Sequence, residues 1–131
     1  MENQFVKSTI EGNVATVMLT NPPANVLTSR LLSELEKVME ALSEDDRVKA
    51  VIITGSGALF VAGADVKEIA SISSSEEGES LARKGQAIFD KIEQMPKPVI
   101  AAITGFCLGG GLELAMACHI RIGGDRARFG Q

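Results

Sequence analysis

Val99 to Cys118 reads VIAAITGFCLGGGLELAMAC, and this stretch decides the fold. Val99–Ile103 is a short apolar run behind Pro96-Lys97-Pro98, as expected of a strand buried on both faces. Gly109-Gly110-Gly111 then opens a helix predicted from Leu112 to about Cys118. The same succession stands upstream. Ala50–Thr54 (AVIIT) is a second buried strand, broken by Gly55-Ser56-Gly57. A loop follows, carrying Phe60-Val61-Ala62-Gly63-Ala64-Asp65, and leads into a short helix around Val66 to Ala70. Strands that feed helices in this way imply an α/β layer with a largely parallel sheet.

Further out, Phe5–Ile10 and Val14–Leu19 flank the turn signal Gly12-Asn13 and predict a hairpin. Asn21-Pro22-Pro23-Ala24-Asn25 is loop, because its prolines lack a backbone donor and hold their predecessors extended. Leu31, Leu35, Val38 and Leu42 recur at helical spacing, with Thr28 or Ser29 as the cap and the charged stretch Glu44–Arg47 as the end. Ser71–Ser80, rich in Ser and Glu, reads as a mobile surface loop. Leu81, Ile88, Phe89, Ile92 and Met95 mark a second long helix. Ile120–Ile122 is one more short strand. The predicted order is β-β-α-β-(short α)-α-β-α-β, with no repeat and no linker to divide residues 1–131.

Composition narrows the function. With 45% hydrophobic and 23% charged residues, the chain can build a core. A net charge of −4, five Phe and no Trp or Tyr give neither a basic surface nor a stacking platform for nucleic acid. The N-terminus has no basic and apolar leader, and no apolar run reaches the roughly 18 residues that span a bilayer. The expected location is the cytoplasm, with no membrane partner. Cys107 and Cys118 lie in apolar sequence and are expected to be buried, reduced thiols. A single histidine, His119, expected to be structural, leaves no metal-ligand spacing, so no metal is expected.

Two segments combine a strand, a turn of small residues and a helix start: Val61-Ala62-Gly63-Ala64-Asp65 and Cys107-Leu108-Gly109-Gly110-Gly111-Leu112-Glu113. N–H groups at a helix start lack intrahelical partners and sit at the positive end of the helix dipole. Small residues let a ligand oxygen approach them. Two such turns from adjacent strands can aim two donors at one carbonyl oxygen, forming an oxyanion hole. Close packing or turn chemistry is the commoner reason for a glycine triplet before a helix. GLGGGLE does not fit the dinucleotide fingerprint, and no Gly-Lys-Ser/Thr follows for a P-loop. Glu113 is the only charge in Gly109–Cys118. It reads either as a dipole-stabilised or capping glutamate, or as a general acid/base in an apolar site. Lys67, Lys97 and Arg121 are candidate phosphate contacts, each equally readable as a surface cation.

The segments NPPANVL (21–27), FVAGADVKEI (60–69), PKPVIAAITGFCLGGGLELAMACHIRI (96–122) and ARFGQ (127–131) together resemble the enoyl-CoA hydratase/isomerase, or crotonase, family. Within it the likeness runs to bacterial enoyl-CoA hydratases of fatty-acid β-oxidation. The resemblance implies the N-terminal half of a crotonase-like ββα spiral, without the C-terminal helical region that supports a homotrimer or a dimer of trimers. It implies an acyl-CoA thioester as substrate, with coenzyme A as part of that substrate and no separate cofactor. It places the oxyanion pair at the amides of Ala64 and Gly110. Ala62, Asp65, Val66 and Lys67 align with the segment that receives coenzyme A, and Glu113 with the first of two glutamates that hold the attacking water. The second glutamate of the family follows a Phe-Gly pair as Pro-Glu. Here the sequence given ends at Phe129-Gly130-Gln131, so a partial domain truncated before that glutamate is expected. Isomerase, dehydratase, thioesterase or decarboxylase chemistry on the same fold stays open, as does acyl-CoA binding without turnover.

Overall fold

The computed structural model describes residues 3–131. The chain begins with the hairpin β1 (Val6–Glu11) and β2 (Val14–Leu19), paired antiparallel around Gly12. Helix α1 (Ser29–Glu44) follows, and the Thr28 side chain caps it by accepting from Leu31 N. Its apolar stripe, Leu31, Leu35, Val38, Met39 and Leu42, is buried. Each of these side chains contributes roughly 1.5–3 kcal/mol by leaving water. The same helix buries Glu34, whose Oε1 accepts from Phe5 N at 2.8 Å and Val6 N at 3.1 Å. Burial pushes this carboxyl up, but the backbone donors of Phe5, Val6 and Gln4 together with Arg30 outweigh it and leave the group below its usual range.

From here the chain winds as a ββα spiral. Strand β3 (Ala50–Gly55) passes into β4 (Leu59–Ala62), then α2 (Val66–Ala70) and α3 (Ser75–Glu93). The next turn is β5 (Val99–Ile103), β6 (Phe106–Leu108) and α4 (Gly110–Ala117), followed by β7 (Ile120–Gly123) and β8 (Arg128–Gly130). The first strand of each turn joins one sheet, in the order β1-β2-β3-β5-β7, parallel from β2 onward. The second strand joins another, β4-β6-β8, parallel throughout. Equivalent glycines stand where the chain leaves the first sheet. A Cβ on Gly55 would collide with the carbonyls of Leu59 and Phe60, and one on Gly105 with that of Ala58.

Several sequence-based expectations need correction. Residues 60–62, expected in a loop, belong to β4, and β6 and β8 carry the same second sheet. These strands are three or four residues long, too short for an alternation to show. The loop expected over Ser71–Ser80 is helical from Ser75, because Ser74 caps α3 by accepting from Glu77 N, and Glu76 and Glu77 suit the positive end of the dipole. Strands β3 and β5 exclude water on one face only: Val51, Ile53, Val99, Ala101 and Ile103 are buried, while Ile52, Thr54, Ile100 and Ala102 are half-buried. An all-apolar run conceals which of its faces is covered.

Candidate active site

Strands β4 and β6 are parallel neighbours, so the turns that follow them leave the same edge of the second sheet side by side. The first turn is Gly63-Ala64, and Gly63 has φ +105°, a conformation that excludes a side chain. Gly63 O accepts from Leu27 N at 2.9 Å. In a trans peptide the N–H points opposite to the C=O, so this bond turns the Ala64 N–H away from the Leu27 backbone.

The second turn is Gly109-Gly110. Gly109 has φ +52° and is the N-cap of α4. Its carbonyl accepts from Glu113 N at 3.1 Å and its own N–H donates to Gly130 O at 2.9 Å. With the Gly109 carbonyl directed up the helix, the Gly110 N–H opens out of the helix end. Among the described residues neither the Ala64 nor the Gly110 N–H donates a hydrogen bond. They are close: a Cβ built on Gly110 would lie 3.6 Å from Ala64 N and 3.3 Å from Leu27 Cδ1. Glycine at 110 therefore keeps the approach to both donors open. Gly111 serves packing instead, since a Cβ there would overlap Val61 as α4 lies on β4.

Both turns open on one cavity of about 390 Å³, with Ala64, Gly110 and Glu113 in its lining beside Leu27, Leu32 and Phe89. An adjoining cavity of about 300 Å³ shares Leu27, Leu32 and Ala64 and continues past Asp65 and Glu68 to Ile69. Glu113 lies in the first turn of α4, where the dipole favours an anion. It is exposed rather than buried, which bears on only one of the two readings left open for it, the carboxylate shielded in an apolar site. Nor does it cap its helix, since Gly109 holds that position.

Of the residues expected to bind substrate, Ala64, Asp65 and Gly110 line these cavities, while Ala62, Val66 and Lys67 do not. The Ala62 N–H is already committed to Ala24 O at 3.1 Å. Val66 is 75% exposed. The Asp65 side chain caps α2 by accepting from Lys67 N at 3.0 Å. Two candidate phosphate contacts have other work. Lys97 Nζ donates to Leu42 O and Asp45 O, both at 2.7 Å, closing the end of α1. Arg121 donates to Ala115 O at 3.2 Å and Cys118 O at 2.8 Å, closing the end of α4. Cations complement the negative end of a helix. His119 is structural: Nδ1 accepts from Val99 N at 2.9 Å and Nε2 lies 2.8 Å from Glu93 O. Cys107 and Cys118 are buried free thiols; burial raises the first and pushes the second up to about 12.

Sequence reasoning missed Asn25 and Leu27, which hold the first turn, and Leu32 and Phe89, which wall the cavity. Their signals were an asparagine in a proline loop and apolar positions assigned to the helix core.

Over residues 9–131 the chain matches the family described as enoyl-CoA hydratase/isomerase. It is 50% identical over 117 residues to a probable enoyl-CoA hydratase of Bacillus subtilis, covering 89% of this chain and 45% of that one. It is 46% identical over 123 residues to the short-chain-enoyl-CoA hydratase of Clostridium acetobutylicum, covering 92% and 47% respectively. The structure of an enoyl-CoA hydratase from Bacillus anthracis superposes with a TM-score of 0.90 at 36% identity, covering 96% of this chain and 50% of that one. An enoyl-CoA hydratase/isomerase from Xanthobacter autotrophicus gives 0.94 at 34% identity, covering 98% and 49%. The chain thus spans about half the length of these two curated relatives.

Proposed function

Since the chain belongs to the enoyl-CoA hydratase/isomerase family, we propose that it forms the thioester-gripping half of an enoyl-CoA hydratase active site. The substrate is a trans-2-enoyl-CoA and the product a 3-hydroxyacyl-CoA, as in fatty-acid β-oxidation. One observation carries this reading: two unpaired backbone donors and one carboxylate open on a single cavity.

The thioester oxygen accepts from the Ala64 and Gly110 N–H groups. As water adds at the β carbon, charge moves onto that oxygen, and the two donors stabilise the enolate more than the neutral thioester. Glu113 takes a proton from the attacking water. A proton must also reach the α carbon. Glu113 is the one carboxylate in the lining of the larger cavity among the described residues, and the resemblance assigns the second to a Pro-Glu step. Asp65 and Glu68, in the adjoining cavity, are engaged as helix caps: Glu68 accepts from Ser29 N at 3.1 Å and Ser29 Oγ at 2.6 Å. The reading extends to a homotrimer or dimer of trimers in the cytoplasm for a protein with the full length of the relatives.

The test is calorimetric titration with crotonyl-CoA, together with loss of the enoyl absorbance on hydration. Crotonyl-CoA is expected to bind, and Glu113→Gln to keep that binding while lowering any hydration by roughly 10²–10⁴. Absence of binding, or a hydration rate untouched by Glu113→Gln, contradicts the proposal.

A further inference from the structure

The two turns are supported in different ways, and the first depends on a side chain that no chemistry has yet claimed. Residues 24–27 run beside residues 62–64 like a short extra strand. Ala62 N donates to Ala24 O, Leu27 N donates to Gly63 O, and Leu27 and Ala64 form a parallel bridge. Between these rungs stands Asn25, 2% exposed and with φ +52°. Its Nδ2 donates to Leu19 O at the end of β2 and to Phe60 O in β4, both at 3.2 Å. Its Oδ1 accepts from Asn21 N at 2.8 Å. One carboxamide therefore ties the first sheet, the second sheet and the proline loop together where the chain leaves β4 for Ala64. Both polar atoms of the Asn25 side chain are paired, as a rigid network in a low-dielectric setting requires.

We propose that Asn25 is a positioning residue for the Ala64 donor: its three hydrogen bonds fix the 24–27 segment, and through the Leu27-to-Gly63 bond they fix the direction of the Ala64 N–H. This rests on the reading of Ala64 as an oxyanion donor. It goes beyond that reading because Asn25 touches neither cavity and would otherwise count only as an asparagine suited to a left-handed turn. The Gly110 donor has no such dependence, since its own helix orients it.

The test separates conformation from tethering. Asn25→Gly retains the left-handed backbone and loses all three side-chain bonds. Asn25→Asp retains the acceptor for Asn21 N and loses both Nδ2 donations. Lys97→Met, which releases the end of α1 far from the site, serves as the control for general destabilisation. Two quantities are read on the full chain. The first is amide hydrogen exchange at Leu27 relative to Val17 and Ile53 in the sheet. The second is the carbonyl stretch of crotonyl-CoA labelled with ¹³C at the thioester, bound to each protein.

In both Asn25 variants the Leu27 amide is expected to exchange at least about tenfold faster relative to the sheet amides, the loss of roughly one hydrogen bond. The bound carbonyl stretch is expected to fall back about halfway toward its value in water. Lys97→Met should change neither ratio nor stretch. If Leu27 accelerates only in step with the sheet amides, or the carbonyl keeps its wild-type shift, the role of Asn25 is overturned. If the wild-type chain itself leaves the bound carbonyl unshifted, the oxyanion reading fails, and this inference with it.

Discussion

The Gly63-Ala64 and Gly109-Gly110 turns present the same group, a free N–H, to one cavity, yet they are built differently. The second is largely self-contained: Gly109 O accepts from Glu113 N, four residues on, and Leu114 and Ala115 of the same helix are buried. The first is held from a distance. Helix α2 behind it has five residues, none buried. Its direction comes from Leu27, far upstream of Gly63 in the chain. One donor is thus specified mainly by local sequence and the other by tertiary contacts, so the two should fail under different perturbations.

The largest effect is expected from Gly110→Pro. Proline is tolerated in the first turn of a helix, where its missing N–H costs no intrahelical bond. It deletes one donor and crowds the space before Leu27 Cδ1. Any crotonyl-CoA hydration should fall by roughly 10²–10³ while the helical circular dichroism stays. A full rate would mean that the Gly110 N–H has no part.

Next comes Gly63→Ala. The φ of +105° is closed to a side chain, so the turn must change or bear about 1–3 kcal/mol of strain. A loss of unfolding free energy of that size is expected in denaturant titration, with loss of crotonyl-CoA binding. Unchanged binding at reduced stability would show that the first donor tolerates a new direction.

The smallest effect concerns Cys118, buried at the end of α4 and pushed up to about 12. At pH 8 its thiol is protonated and covered, so alkylation requires α4 to open. The turns touch, Gly109 lying against Gly63, but the second is held by the Glu113-to-Gly109 bond of its own helix, so Gly63→Ala should leave that alkylation rate within about twofold. A rate that rises in step with the loss of binding would erase the distinction between the turns.

The sequence made the long elements readable and the supports opaque. Helix α1 and strands β3 and β5 followed from apolar spacing, and both turns from their small residues. The second sheet did not, since β6 and β8 have three residues each. Helix α3 between Ser75 and Ser80 was hidden because its solvated start has no apolar period, only the cap at Ser74. Lys97 and Arg121 look in sequence like any surface cation, and only the carbonyls before them reveal helix clamps. Asn25 was hidden most completely, because its partners, Leu19 and Phe60, lie in two different sheets.

Hydration of the kind proposed requires Ala64 and Gly110 to share one oxygen, and the proton resonances of their two amides report on this. On titration with crotonyl-CoA both should move downfield and saturate at the same ligand concentration, as donors to a common acceptor must. Movement of one amide alone, or of neither while the ligand binds elsewhere, would contradict it.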